Sequence, residues 1–178
     1  AMAGCGSYSK IEGFGFIPVT CFSQALTTFI GQNLGAKEYD RTKKGALFGT
    51  ICGIGIAEVI GIAVFFFSPY LIAAFGGDQK AIEYGIAEAH TIALFYCLLA
   101  FSHCMAAIQR GAGRSIVPMF VMMLVWCGVR VTYISIVIRI IPVINVIYWA
   151  YPLTWFISSV IFLILFLKTD WIHGLEKQ

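Results

Sequence analysis

Residues 44–67 read Lys44-Gly-Ala-Leu-Phe-Gly-Thr-Ile-Cys-Gly-Ile-Gly-Ile-Ala-Glu-Val-Ile-Gly-Ile-Ala-Val-Phe-Phe-Phe67. Beyond Lys44, this run carries a single charged residue, Glu58. About 20 helical residues cross a hydrocarbon core that is about 30 Å thick, so the run is long enough to span a membrane. Backbone groups in lipid must be bonded within the element, and the apolar residues do not alternate as in a barrel strand. The run is therefore predicted to be a transmembrane helix.

Four similar apolar stretches surround this run, and they predict further helices at about residues 3–32, 81–109, 116–138 and 143–167. Hydrophobic residues make up 60% of the chain, charged residues make up 12%, and the mean hydropathy is +0.86. A soluble domain averages about 25% charged residues, so water-soluble classes of protein are excluded. We predict an all-α integral membrane protein with five transmembrane helices.

Basic residues concentrate in the connector after the first helix, in the connector after the third helix, and in the tail. They are Lys37, Arg41, Lys43, Lys44, Arg110, Arg114, Lys168 and Lys177. Connectors rich in Lys and Arg stay on the cytoplasmic side of a membrane. We therefore expect a multi-pass protein of the plasma membrane with a cytoplasmic C-terminus. The net charge of +3 reflects these connectors, and no nucleic-acid partner is expected.

Aromatic residues gather at the start of the last helix, with one more after its end. This distribution is typical of belts at membrane interfaces. The residues are Tyr148, Trp149, Tyr151, Trp155 and Trp171.

Glu88, His90 and His103 are the candidates for a membrane-embedded enzyme, but their arrangement is unfavourable. The two histidines are thirteen residues apart, which turns them by about 220° around a helix. Glu88 is expected near the membrane interface. The six cysteines lie in apolar stretches without metal-ligand spacing. We expect no enzyme, no metal and no cofactor.

Polar residues within the predicted spans are candidates for a pathway, because ionisable groups at membrane depth usually face a cavity or a partner. A polar stripe follows the first helix, and it either lines a wet cavity or packs against a polar neighbour. Either Glu12 or Glu58 could pair with Arg130 of the fourth helix. The stripe consists of Ser9, Glu12, Thr20, Ser23 and Thr27, widened by Gln24 and Thr28. The candidates for an ion or substrate pathway are Glu12, Thr20, Gln24, Glu58 and Arg130.

The second helix carries small residues at every fourth position, which predicts a ridge for close helix packing. The ridge residues are Gly45, Gly49, Gly53, Ala57 and Gly61.

Two connectors are rich in glycine and charge. The first elbow (residues 31–41) begins Gly31-Gln-Asn-Leu-Gly-Ala36, and the second elbow (residues 109–118) begins Gln109-Arg-Gly-Ala-Gly-Arg114. Gly and Asn accept left-handed backbone angles at helix ends, so each elbow is predicted to be a tight turn. The second elbow lacks the Gly-Lys-Ser/Thr of a phosphate loop and follows no strand, which argues against an ATP site.

The run from Ala25 to Ala36 followed by Arg41, and the run from Arg110 to Pro118, resemble the signatures of the multidrug and toxic compound extrusion (MATE) family. Ser9-Lys-Ile-Glu-Gly-Phe14 and Arg130 also fit bacterial-type members. The resemblance covers nearly the whole chain. Its elbow residues are Gly31, Gln32, Asn33, Gly35, Ala36, Arg41, Arg110, Gly111, Gly113 and Pro118.

The resemblance implies a twelve-helix transporter with two six-helix lobes, of which residues 1–178 would be a partial C-terminal lobe containing helices eight to twelve. The missing N-terminal lobe of the same protein and the lipid bilayer would be its partners. Such transporters export drugs and other organic cations in exchange for Na⁺ or H⁺ by alternating access. Some members carry an acidic residue that couples the ion in the helix equivalent to the third helix here. The middle of this helix, residues 95–101, contains no acidic residue. Glu12 and Glu58 remain the candidates.

Two alternatives stay open. A lipid-linked oligosaccharide flippase of the same superfamily would need a strongly basic cavity, and here the embedded cations are Lys10 and Arg130. A stand-alone five-helix scaffold would leave the polar stripe without a second lining.

Overall fold

The computed structural model describes residues 2–75, 78–141 and 143–172, and all regular secondary structure in these ranges is helical. Five segments are long and apolar enough to cross a membrane, which confirms the predicted all-α fold class. The helices are α1 (Met2–Gly35), α2 (Tyr39–Ala74), α3 (Gln79–Ile92), α4 (Tyr96–Gly111), α5 (Ile116–Met122), α6 (Arg130–Ile140) and α7 (Asn145–Lys168).

Two predicted helices are not continuous α-helices. The third span divides into α3 and α4 at a 3-10 turn, Ala93–Phe95, and the fourth span joins α5 to α6 through a π-helical stretch, Met123–Val129. The second helix is also longer than predicted: it begins at Tyr39, within the charged connector, and it continues beyond Phe67 to Ala74. Asp40 in its first turn is favourable there, since the N-terminal end of a helix attracts negative charge.

The break in the third span is accommodated by α2. The backbone N–H of Cys97, just after the 3-10 turn, donates a hydrogen bond to Glu58 Oε2 at 3.1 Å. A Cβ added to Gly61 would lie only 2.3 Å from the carbonyl oxygen of Ala93, so glycine is required for this close approach. Glu58 therefore satisfies an N–H group that a broken helix would otherwise leave without a partner in lipid.

The small-residue ridge of α2 packs as the sequence predicts. A Cβ on Gly49 would lie 2.7 Å from Leu26 Cδ1 of α1, and a Cβ on Gly53 would lie 2.7 Å from Cys104 Sγ of α4. The ridge thus lets α1, α2 and α4 approach one another closely at the centre of the bundle.

The surface of the bundle is apolar, as expected for helices in lipid. Large side chains such as Phe48 (71% exposed) and Phe66 (68% exposed) project outward from α2. In water such a surface would be unfavourable, whereas a bilayer solvates it.

The described parts of the three basic segments lie at one end of the bundle, and Lys177 of the tail lies outside the described residues. Arg114 of the second elbow donates a hydrogen bond from Nη2 to the carbonyl oxygen of Asp170 at 2.9 Å. Lys43, next to the first elbow, lines one groove together with Trp171. The segments that the positive-inside rule groups together are therefore neighbours in the structure.

Candidate functional site

A cavity of about 280 Å³ lies among α1, α4, α7 and the π-helical stretch. It contains two of the predicted pathway residues, Glu12 and Arg130, which carry opposite charges. The remaining lining combines aromatic rings with small or apolar groups. The full lining is Ser9, Glu12, Gly13, Phe16, Leu99, Trp126, Arg130, Tyr151 and Trp155.

Arg130 is held on one wall of this cavity. Its guanidinium carbon lies 4.2 Å from the ring centroid of Tyr151 and 5.7 Å from that of Trp126. Its Nη2 donates a 2.8 Å hydrogen bond to Thr154 Oγ1. Its Nε is buried without a hydrogen-bond partner among the described residues. Aromatic faces attract cations, so these contacts fix the position of the guanidinium while one donor stays free.

The π-helical stretch helps to place these groups. Trp126 lies within it, and Arg130 follows directly after its last residue, Val129. Such stretches are rare and occur frequently at functional sites, because the extra residue per turn re-aims the side chains around it. Here both Trp126 and Arg130 reach the same cavity.

Glu12 lies on the α1 wall and is half-buried. It is close enough to Arg130 for an electrostatic interaction, but among the described residues the two side chains form no ion pair within 4 Å. The Tyr8 and Tyr96 hydroxyl groups, 3.2 Å apart and fully buried, also interact electrostatically with this carboxyl group. Glu12 is thus a carboxyl group within a candidate membrane span, and it lines the cavity.

The sequence left open whether the polar stripe of α1 lines a cavity or packs against a neighbouring helix, and different residues of the stripe do each. Ser9 and Glu12 line the cavity. Further along, Ser23 is buried and Thr27 donates a 3.2 Å hydrogen bond to the carbonyl oxygen of Ala107 on α4. The first part of the stripe therefore lines a cavity, Ser23 and Thr27 pack within the bundle, and Gln24 and Thr28 are exposed.

The other predicted pathway residues lie outside this cavity. The Thr20 hydroxyl group donates to the carbonyl oxygen of Ile17 at 2.8 Å, and Gln24 is exposed on the bundle surface. Glu58 is engaged with the Cys97 amide. Of the five candidates, the structure brings together Glu12 and Arg130.

Several residues of the predicted interfacial aromatic belt lie inside the bundle and not on its surface. Tyr148 and Trp155 are 1% and 2% exposed, and Trp171 is stacked on Phe166 with ring centroids 5.2 Å apart. Trp155 instead lines the cavity together with Tyr151, one helical turn away. Their i, i+4 spacing on the last helix was a signal that both could face the same neighbour.

Only 5% of Glu88 is exposed, so its side chain packs inside the bundle and not on its surface. His90 stacks on Phe65 with a centroid distance of 4.3 Å. His103 lies edge-on between Phe16, at 5.0 Å, and Trp126, at 5.4 Å. Within the described ranges, no group of three or more His, Cys, Asp or Glu residues could hold a metal ion.

The first elbow ends α1 with a Schellman turn. The Glu38 N–H donates to the Asn33 carbonyl oxygen at 2.9 Å, and the Lys37 N–H donates to the Leu34 carbonyl oxygen at 3.0 Å. The residue with the left-handed backbone is Lys37, with a φ of 58°. The expectation that Gly or Asn takes this conformation is therefore wrong here, because the turn closes two residues beyond Gly35.

The second elbow ends α4 with the same hydrogen-bond pattern. The Arg114 N–H donates to the Gln109 carbonyl oxygen at 2.9 Å, and the Gly113 N–H donates to the Arg110 carbonyl oxygen at 3.0 Å. Gly113 has a φ of 79°, as a glycine-rich turn predicts.

The two elbows meet where α1 crosses α4. A Cβ on Gly31 would lie 3.5 Å from the carbonyl oxygen of Gly111. A Cβ on Gly111 would lie 2.7 Å from both the carbonyl oxygen of Thr27 and Cβ of Ile30. The two signature segments, about 80 residues apart in the chain, thus form one packing contact at the basic end of the bundle.

Residues 1–141 match the family model described as MatE. The chain belongs to the MatE family. This confirms the family that the two elbows indicate. Because the cavity residues Glu12, Trp126 and Arg130 lie within the matched segment, the MatE assignment includes most of the site.

Two curated relatives have similar sequences. The chain is 28% identical over 126 residues to the probable multidrug resistance protein NorM of Thermotoga maritima, covering 67% of this chain and 27% of the relative. It is 24% identical over 135 residues to the probable multidrug resistance protein YoeA of Bacillus subtilis, covering 74% of this chain and 28% of the relative. This MatE chain therefore spans about a quarter of the length of these relatives.

The fold also matches a solved structure, described as the inward-facing conformation of a multidrug resistance MATE family transporter of the MOP superfamily. The TM-score is 0.79 at 16% sequence identity, and the match covers 96% of this chain and 39% of that chain. At 16% sequence identity, this match shows that the two proteins share a fold.

Proposed function

We propose that this chain is part of the second lobe of a transporter that exports organic cations, including drugs, in exchange for Na⁺ or H⁺. Its five spans would correspond to helices eight to twelve, and a first lobe of the same protein would complete the substrate cavity. The observation that carries the proposal is the cavity in which Glu12 faces the aromatic rings of Trp126, Tyr151 and Trp155. The printed names of both curated relatives, which refer to multidrug resistance, support the same class of function.

The chemistry of the cavity suits an organic cation. A carboxylate supplies the counter-charge, and aromatic faces attract cations while also contacting apolar parts of a substrate. Binding sites for drug-sized molecules usually enclose about 300–1,000 Å³ and combine an apolar lining with a few polar groups. At about 280 Å³, the cavity is near the lower limit, as expected if a second lobe supplies the opposite wall.

Arg130 gives the site an internal cation. Its guanidinium already occupies the face of Tyr151, and it interacts with Glu12 without a close ion pair. An incoming cationic substrate would compete with this guanidinium for the aromatic faces and for the carboxylate. Arg130 is the first residue of α6, so its displacement would couple substrate binding to the position of α6.

The test is cation transport by the complete protein in lipid vesicles, with a fluorescent cationic dye and an imposed Na⁺ or H⁺ gradient. Glu12→Gln keeps the size of the side chain and removes its charge. A charge-assisted contact contributes about 1.5–3 kcal/mol, so dye affinity should fall about 10- to 150-fold. Glu83→Gln, at an exposed glutamate of α3, is the matched control.

Transport by Glu12→Gln at the wild-type rate and affinity would remove Glu12 from the substrate path. Failure of the wild-type protein to move any cationic dye under either gradient would contradict the proposed function itself. Comparison of the two gradients identifies the coupling ion. A reporter fused to the C-terminus tests whether the protein lies in the plasma membrane and whether its C-terminus is on the cytoplasmic side.

An anionic substrate is the second candidate, and the free Nε donor of Arg130 favours it. Guanidinium groups bind phosphate with paired hydrogen bonds, so a lipid-linked oligosaccharide could place its pyrophosphate there. Quenching of tryptophan fluorescence by an anionic lipid-linked sugar, but not by organic cations, would support the flippase. Arg130→Gln should abolish that quenching.

A further inference from the structure

A second polar cluster lies between the first half of α1, α3 and α7, outside the lining of the cavity. Its centre is Glu88, which is 5% exposed and whose Oε2 is buried without a hydrogen-bond partner among the described residues. The Cys5 thiol lies beside this carboxyl group and 3.7 Å from the Tyr148 hydroxyl group. The Tyr148 hydroxyl group in turn donates to the carbonyl oxygen of Tyr84 at 3.2 Å.

The surroundings of Glu88 supply no cation that pairs with it among the described residues. The groups that face it from α1 are Cys5, Tyr8 and Glu12, and those from α7 are Tyr148 and Tyr151. From α2, the carboxylate of Glu58 is directed to the Cys97 amide instead. The 3-10 turn at residues 93–95 contains Ala, Leu and Phe and has no titratable side chain.

A carboxylate in this position would be energetically costly. Burial of an ionised carboxyl group without a positive partner costs several kcal/mol, whereas the protonated form is neutral and is tolerated far better. The closed packing of α1, α3 and α7 around Glu88 therefore suits the protonated form. Ionisation would require water to reach the cluster or these helices to separate.

Glu88 is also coupled to the proposed substrate site. Cys5, which lies beside Glu88, and Glu12 are seven residues apart on α1, about two turns along one face, so the two carboxyl groups are close enough for an electrostatic interaction. Tyr8, whose hydroxyl group lies 3.2 Å from that of Tyr96, is on α1 between them. Two nearby carboxyl groups resist simultaneous ionisation, so each charge affects the other. A bound organic cation would neutralise Glu12 and remove that repulsion.

We propose that Glu88 holds a proton in the substrate-free state and releases it to water when a cation binds at Glu12. The step leaves one carboxylate at Glu88 and one additional proton in solution, with no other bond changed. This inference rests on the proposed function, and it gives that function a proton-coupled form. Substrate and proton would then exclude each other, as an antiporter requires.

The experiment measures proton release by the complete, purified protein in weakly buffered detergent when a fluorescent organic cation is added. The wild-type protein and Glu83→Gln should release about one proton per bound cation, as linkage of a single group requires. Glu88→Gln should release less than about a fifth of that amount while it still binds the cation. Release at the wild-type level by Glu88→Gln would overturn the proposal.

Infrared difference spectra provide a readout that does not depend on a folded Glu88→Gln variant. In the wild-type protein, cation binding should remove the carbonyl band of a protonated carboxyl group, and in Glu88→Asp this band should shift in frequency. A spectrum without a lost carboxyl band would overturn the inference, even if the protein transports cations with Na⁺. Absence of any cation binding would overturn both the inference and the proposed function.

Discussion

The two elbows have the same hydrogen-bond pattern but use their glycines differently. The first elbow closes on Lys37 in a left-handed conformation, and nothing lies within 4 Å of a Cβ on its Gly35. The second elbow closes on Gly113, and its Gly111 is pressed against the backbone of α1. A glycine-rich sequence therefore indicates a turn, but only the structure shows which glycine serves conformation and which serves close approach.

The largest effect is expected for Gly111→Ala. The new Cβ would lie 2.7 Å from the carbonyl oxygen of Thr27, a backbone atom that cannot move without shifting α1. Overpacking of this kind costs about 1–3 kcal/mol, and the upper end applies here because backbone must move. Thermal unfolding in detergent, monitored by tryptophan fluorescence, measures the loss of stability.

Gly35→Ala in the first elbow is the matched control, because nothing lies within 4 Å of its Cβ. It should leave the unfolding temperature unchanged or slightly higher. If both substitutions lowered stability equally, the proposed difference between the two elbows would be wrong.

The next effect is expected for Gly113→Ala, which places a side chain at a φ of 79°. A left-handed conformation costs an L-residue about 1–2 kcal/mol relative to glycine, so stability should fall by about that amount. Gly113→Asn should lose less, because Asn tolerates this conformation better than Ala. Equal losses for Ala and Asn would show that contacts of the side chain, and not backbone strain, dominate at this position.

Much of the fold follows from hydropathy and spacing, and the exceptions have a common cause. Five spans and a small-residue ridge are properties of single helices, so the sequence contains them. The N–H group of Cys97, just after the break at Ala93–Phe95, is bonded to Glu58, which lies on another helix and 39 positions away. A local pattern cannot reveal such a partner.

The candidate site was predictable to a similar extent. Membrane-depth charge identifies Glu12 and Arg130, because such groups need a cavity or a counter-charge. It does not reveal that Trp155 faces protein and not lipid, since apolar aromatic side chains suit both environments. Charge within a predicted span also does not distinguish Glu58, which accepts a hydrogen bond from the Cys97 backbone, from Glu12, which lines the cavity.

A stabilising substitution is expected at Lys37, the residue of the first elbow that corresponds to Gly113 of the second elbow. Lys37 is exposed, with a φ of 58°, so Lys37→Gly removes backbone strain without the loss of a buried contact. The relief of about 1–2 kcal/mol is partly offset by the entropy that glycine adds to the unfolded chain, about 0.4–1 kcal/mol. The net gain should be about 0.5–1 kcal/mol, measured by the same unfolding assay.

Lys43→Gly is the control for Lys37→Gly, because Lys43 is also exposed but lies inside α2. Glycine within a helix costs about 1 kcal/mol relative to alanine, so this variant should lose stability. A loss at both positions would show that the Lys37 side chain contributes more than its strained backbone costs.

The smallest effect is expected for Gly31→Ala. Gly31 lies on α1, opposite Gly111, where α1 crosses α4. The Cβ would lie 3.5 Å from the carbonyl oxygen of Gly111, an ordinary contact distance. Alanine also favours the helix by about 0.5–1 kcal/mol, so stability should be unchanged or slightly increased. The contact between α1 and α4 would then tolerate a methyl group from α1 but not from α4. A loss as large as that of Gly111→Ala would instead mean that the crossing has no spare space on either helix, and that the glycines of both elbows are needed for close approach.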